Sequence, residues 1–223
     1  MIKKGDFIEL DYEGYLVDNN QLFDTTKKAV AEKAGLVNKE NFEPNIVCIG
    51  QNHLLPGLDE FVEGKDLGNN YEVEVTSEEA FGKRNAKLLQ LIPLKKFKDQ
   101  KIQPFQGLEL NIDGHLGIVR SISGGRVIVD FNHPLAGKDL KYKLDLKRIV
   151  VDLKEQVEAI LKLGGLPFEK VELIKEGDKA IDHAIIHMKQ LLPNEFNEGI
   201  QKTIKELTKV GVVSFQANNQ ANK

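Results

Sequence analysis

Polar and apolar positions alternate in three separated stretches of the chain, and each alternation predicts a half-buried strand. In the first, Ile8, Leu10 and Tyr12 interleave with Glu9, Asp11 and Glu13, which places Tyr12 on the inner face. The pattern returns at residues 71–76 and again at 142–146, where Tyr142, Leu144 and Leu146 share one side. Between these, the unbroken apolar run Ile46-Val47-Cys48-Ile49 ends at Gly50 and predicts a strand covered on both faces. A short helix follows, punctuated by Pro56 near its start and Gly64 past its end, with Leu58, Phe61 and Val62 on one face. Laid across the sheet, this helix would make Leu54, Leu55 and Leu58 the floor of an apolar cup.

Two further elements belong with this first set. Residues 22–26 predict a strand after the turn Asp18-Asn19-Asn20, and Phe23 beside Asp24 offers the cup an aromatic wall with a carboxylate at its rim. Asp24 has a second reading, in which it closes the following turn with Thr25 and Thr26. Residues 27–35 predict a short surface helix. Phe81, before Gly82, is a candidate for another wall.

The texture changes near residue 87. Leu88-Leu89-Gln90-Leu91-Ile92-Pro93 precedes the basic run around Phe97, residues 107–114 alternate into a turn, and two strands flank Gly124-Gly125, a hairpin signal because both turn positions accept φ > 0. Since residues 142–146 resume the earlier pattern, residues 87–131 predict a small β unit inserted into the first domain, which then comprises 1–86 and 132–151. From 152 onward a third, α+β unit is predicted. Asp152-Leu153-Lys154-Glu155 opens a helix that Gly164-Gly165 closes, and residues 168–174 and 210–215 read as strands. Residues 178–192 read as a helix with Ile181, Ala184, Ile185, Met188 and Leu192 on one face and Ile186 on the other. Asn194 caps a further helix carrying Phe196, Ile200, Ile204 and Leu207. The polar tail from Gln216 reads as disordered.

Composition narrows the function. With 223 residues, 41% apolar and 29% charged residues and a net charge of −3, the chain has neither the signature of disorder nor a nucleic-acid footprint. The lone cysteine, Cys48, lies in an apolar strand and reads as a buried, inert thiol. No apolar segment approaches the roughly 18 residues of a membrane span, nor does the N-terminus carry a secretory run, so the expectation is a soluble cytoplasmic protein. His183 and His187 stand four apart, but without a third ligand at suitable spacing no metal site is read there. No nucleophile arrangement or phosphate loop is present. Lysines 95, 96, 98 and 101 read as a solvated face.

Tyr12 with Gly14, Phe23-Asp24, Leu54-Leu55-Pro56-Gly57-Leu58, Ala80-Phe81-Gly82 and the strand through Tyr142 occur in the order of the FKBP-type peptidyl-prolyl isomerases, which the chain resembles over roughly residues 1–151. The run 132–140, beginning Asn132-His133-Pro134, is similar to the SlyD-like and long archaeal members with an inserted domain. The resemblance implies an α+β fold: an antiparallel sheet wrapped on a short helix, plus the inserted β domain and the C-terminal α+β domain. It implies that Tyr12, Phe23, Asp24, Leu54, Leu55, Leu58, Phe81 and Tyr142 line the active pocket, with no cofactor and no metal. Leu58 stands where many members have Trp, and Phe81 where they often have Tyr. The implied partners are unfolded or partly folded polypeptides containing X-Pro bonds, with neither nucleic acid nor membrane. Leu88, Leu89, Leu91, Ile92 and Phe97 are the expected client-binding residues of the inserted unit. Residues 152–223, which long archaeal members suggest to be a dimerisation module, are expected to join two isomerase arms into a homodimer, with Ile186 as a second apolar patch that calls for a partner. A rival reading makes the chain chiefly a holdase chaperone, and a third makes it a dimeric scaffold without enzymatic role.

Overall fold

One long strand, β1 (Phe7–Leu16), divides its edge between two partners. Its first half pairs antiparallel with β3 (Asn45–Cys48), from Phe7 opposite Cys48 to Leu10 opposite Asn45, and its second half with β2 (Leu22–Thr25). On the other edge lie β9 (Leu140–Ile149) and then β4 (Asn70–Val75), giving a five-stranded sheet in the order β2-β1-β9-β4 with β3 also paired to β1. The computed structural model describes residues 1–36, 42–175, 183–190 and 193–217. They fall into two compact units, Met1–Val75 with Lys141–Lys223, and Thr76–Leu140.

Alternation in β1 works as the sequence predicts. Ile8 and Leu10 are fully buried, while Glu9, Asp11 and Glu13 face Arg148, Lys147 and Lys27 in ion pairs. Helix α1 (Lys28–Ala34) buries only Ala31, and α2 (Pro56–Val62) buries Leu58 and Val62. Phe61, expected on that same face, is half-buried and meets Tyr71 edge-on with Lys65 above its ring.

The region after residue 152 was expected to stand as its own domain, yet it shares a core with β1 and β3. Helix α4 (Leu153–Leu163), capped by Asp152 accepting the Glu155 N–H at 2.9 Å, contributes Val157, Ile160 and Leu161. These pack with Val171, Ala184, Ile186, Met188, Ile204 and Val213, and with Phe7, Cys48 and Val150. A three-stranded sheet supplies much of this layer. β10 (Lys170–Ile174) pairs antiparallel with β11 (His183–Met188), and β11 pairs parallel with β12 (Val212–Ala217), the crossover being made by α5 (Asn194–Leu207).

Here the predicted helix over 178–192 is replaced, in its described part, by a strand. Both periods fit the apolar set: Ala184, Ile185 and Met188 suit a helix, but Ala184, Ile186 and Met188 suit a strand face, and the β-branched pair Ile185-Ile186 favours the strand. Ile186, expected on an exposed second patch, is therefore fully buried. His183 and His187 lie on the opposite face of β11, at 2.8 Å from Ser214 Oγ and 3.3 Å from Glu172 Oε2 respectively. Ile181 and Leu192 lie outside the described residues, as does the tail beyond Ala217; Gln216 itself is in β12. Phe196, expected on the buried stripe of α5, is 64% exposed.

The second unit is an antiparallel sheet in the order β5-β8-β7-β6, made of β5 (Leu89–Pro93), β6 (Glu109–Ile112), β7 (His115–Ser123) and β8 (Arg126–Asp130), with α3 (Leu94–Asp99) after β5. Gly124 and Gly125 both have positive φ, as the two-residue hairpin demands. Phe97, Val119, Val127 and Val129 form its core, with Ile92, Leu94, Leu110 and Phe131 against them. Among the described residues no helix is long and apolar enough to cross a membrane.

Candidate functional site

The register between β1 and β2 shapes the site. Thr25 lies opposite Glu13 and Asp24 opposite Gly14, but Leu22 lies opposite Tyr15, so Phe23 is one extra residue on β2. In a regular strand Phe23 and Asp24 would point to opposite faces; a bulge at this point re-aims the pair. The Phe23 ring meets the Tyr142 ring edge-on at 5.8 Å and 87°, while the Asp24 carboxylate accepts a short hydrogen bond from the Tyr12 hydroxyl. Tyr12 and Tyr142 are tilted neighbours with ring centroids 6.1 Å apart. Four predicted residues from three strands thus converge.

Two threonines hold this geometry. Thr25 Oγ1 donates to the Tyr12 carbonyl at 2.7 Å, and the Tyr12 N–H donates to Thr26 Oγ1 at 2.9 Å. Both are almost fully buried. The turn reading of Asp24 also holds, since its Oδ1 accepts the Thr25 N–H at 2.8 Å. Sequence reasoning treated the threonines only as turn formers, although a Thr-Thr pair following an aromatic-acid pair is the available signal.

Burial is the largest influence on both tyrosines. It pushes the Tyr12 hydroxyl far above its ordinary range, helped by the hydrogen bond to Asp24 and that group's charge; Tyr142 is raised by burial and then by Asp24. Both hydroxyls therefore stay protonated at any physiological pH, able to donate a hydrogen bond and unable to act as bases.

Leu54 and Leu55 are half-buried at the entry to α2, and Leu58 is 3% exposed within it. Two unpredicted side chains pin this segment to the end of β3. His53 Nδ1 accepts the Cys48 N–H at 3.0 Å, and Asp59 Oδ1 accepts the Gly50 N–H at 2.9 Å. Phe81 belongs to the second unit, where its ring stacks on His133 at 4.2 Å with an interplanar angle of 6°.

The sequence profile of the FKBP-type peptidyl-prolyl cis-trans isomerases matches residues 1–112, half of the chain. This chain belongs to that family. As an FKBP-type isomerase it also matches, over residues 90–135, the profile described as FKBP26, IF domain. It is 31% identical over 150 residues to the short-type peptidyl-prolyl cis-trans isomerase of Methanocaldococcus jannaschii, covering 67% of this chain and 94% of that protein. The FKBP-type isomerase SlyD of Haemophilus influenzae is 32% identical over 102 residues, 44% of this chain and 53% of SlyD. The FKBP-type 16 kDa isomerase of Escherichia coli is 28% identical over 115 residues, 50% of this chain and 77% of that protein. This FKBP-type chain is accordingly an isomerase of X-Pro peptide bonds.

The expected client-binding residues of its second unit divide. Phe97 is a correction: it is 5% exposed and forms the unit's core, because α3 turns it onto the inner face of the sheet. Ile92 is half-buried against that core. Leu88, Leu89 and Leu91 are exposed, Leu91 by 62%. The β5-β8 register places Leu89 and Leu91 on the sheet face opposite the core, and the β7-β8 register adds Ile118 and Ile128. Leu116, 57% exposed and missed from sequence, shares this side with Ile118.

Proposed function

We propose that isomerisation proceeds without a covalent intermediate, by desolvation of the X-Pro amide in the cup that Phe23, Tyr142, Leu54, Leu55 and Leu58 help to form. The planar amide resists rotation with a barrier of about 18–20 kcal/mol, held by resonance and its charge separation. Twisting removes that separation, so an apolar, water-poor environment favours the twisted state, and lowering the barrier by about 4 kcal/mol gives roughly a thousandfold. The observation that carries this reading is the Tyr12 hydroxyl bonded to Asp24 beside the Phe23–Tyr142 pair, a polar anchor at the rim of an aromatic wall. In this reading the Asp24–Tyr12 pair orients the substrate backbone. Tyr142, its hydroxyl kept protonated by burial and the nearby Asp24 charge, supplies a donor. Proline-limited refolding by the intact chain and by Asp24→Ala is the test.

A second activity has its own support. Leucines 89, 91 and 116 are exposed on one side of the β5-β8-β7-β6 sheet, and clustered exposed aliphatic side chains mark interaction sites. Unfolded polypeptide is the fitting occupant, because exposed aliphatic side chains select for apolar residues and not for sequence, and the one buried carboxylate on this side, Asp130, is already paired with Arg84 and Arg120. Tethered to the isomerase, such a surface raises the concentration of client prolines near the catalytic residues. A proline-free client separates the roles, since suppressing its aggregation needs binding but no isomerisation.

A further inference from the structure

Gly14 lies in the interior of β1, where a glycine weakens a strand and marks either an unusual backbone or a close approach. Its φ is not in the positive region that glycine alone occupies with ease, unlike Gly50, Gly124 and Gly125. The close approach is what remains. A Cβ built on Gly14 would fall 2.7 Å from Phe23 Cζ, 3.0 Å from Phe23 Cε2 and 3.1 Å from Tyr142 Cε1, well inside the roughly 3.5–4.0 Å of carbon–carbon contact. The edge of the Phe23 ring thus occupies the volume that a side chain at position 14 would need.

We propose that Gly14 is a positioning residue of the isomerase: its missing side chain lets the Phe23 and Tyr142 rings close over β1, and so sets the width of the cup. The proposal rests on the reading of Tyr12, Phe23, Asp24 and Tyr142 as the site. The strands cannot relieve a clash by separating, because Asp24 is paired opposite Gly14 and the Thr25 and Thr26 hydroxyls tie the next residues to the Tyr12 backbone. Tyr142 is 6% exposed and has little room to move. Phe23 is half-buried on a bulge and is the group that yields. An alanine at 14 therefore drives the Phe23 ring away from Tyr142 and changes the shape of the cup, where a misplacement of about 1 Å can cost on the order of a hundredfold in rate.

The test is a double-mutant cycle on the full chain, measuring kcat/KM for a proline tetrapeptide in wild type, Gly14→Ala, Phe23→Leu and the double variant. The Tyr142 ring-proton resonances provide a second readout. Gly14→Ala is expected to lose about ten-fold or more in the wild-type background and less than about two-fold in the Phe23→Leu background, where the colliding ring is gone. The Tyr142 resonances should shift in Gly14→Ala as the edge-on ring leaves. Should Gly14→Ala fail to fold, a double variant that folds with the activity of Phe23→Leu supports the proposal equally. An equal loss in both backgrounds, no loss in Gly14→Ala, or failure of both alanine variants to fold overturns it. Wild-type activity in Phe23→Leu alone removes Phe23 from the site, and with it the reading on which the proposal stands.

Discussion

Ending the chain after Val151 removes more than an appendage. Phe7 and Val150 are 2% and 1% exposed, and both belong to the core that α4, α5 and the β10-β11-β12 sheet complete, together with Cys48. Full exposure of a Phe or Val side chain costs about 1.5–3 kcal/mol each. Because both keep neighbours within their own sheet, half of that sum, about 2 kcal/mol for the pair, is the expected loss. Against a total stability of about 5–15 kcal/mol this is a large fraction. With a urea slope of about 2 kcal/mol/M it moves the unfolding midpoint down by about 1 M. Urea unfolding of the intact chain and of the 1–151 truncation, followed by far-UV circular dichroism, measures the difference. The truncation should also self-associate through the uncovered Phe7–Val150 patch, which sedimentation would show. A truncated chain that is monomeric and unfolds at the same urea concentration would refute the shared core.

Two further outcomes rest on the exposed leucines of the second unit and on His53. Replacing Leu89, Leu91 and Leu116 together by Ser should cut suppression of aggregation of a proline-free client several-fold, while leaving isomerisation of a short peptide within about two-fold, since all three lie on the uncovered sheet face; equal loss in both assays would refute separate roles. His53 is held neutral, its protonation value depressed below 6.5 chiefly by burial, because Nδ1 accepts the Cys48 N–H. The unfolded chain therefore binds the proton first, so the stabilisation is fully present above about pH 6.5 and is lost as pH falls from there through the folded-state value. Unfolding midpoints between about pH 7.5 and 5 should fall more for wild type than for His53→Gln, and parallel curves would exclude His53 as the source.

Much of the fold could be read from the sequence because strand alternation, hairpin glycines and helix punctuation are local signals. β1 and the Gly124-Gly125 hairpin were legible for that reason. The errors arose where local signals were degenerate or the decisive contact was distant. Residues 184–188 satisfy the helical and the strand period at once, and only pairing to both β10 and β12 decides between them. Phe97 reads as exposed beside its lysines, yet an amphipathic turn hides one residue in three or four, and which one depends on where the sheet lies. At the site, Tyr12, Phe23, Asp24 and Tyr142 were identifiable through family resemblance. The bulge that turns Phe23 and Asp24 together, and the need for Gly14 beneath them, follow from interstrand register. No single strand encodes that register.

The measurement that bears most directly on the catalytic assignment is the slow, proline-limited refolding phase of a client protein, followed with the intact chain and with Asp24→Ala. Uncatalysed, this phase takes tens of seconds or longer. The intact chain at sub-stoichiometric concentration should accelerate it in proportion to its concentration. Asp24→Ala, folded by circular dichroism, should do so at least about ten-fold less well, because the rim loses the carboxylate that holds the Tyr12 hydroxyl. Equal acceleration by the two proteins, or none by the intact chain, would contradict the assignment of catalysis to this pocket.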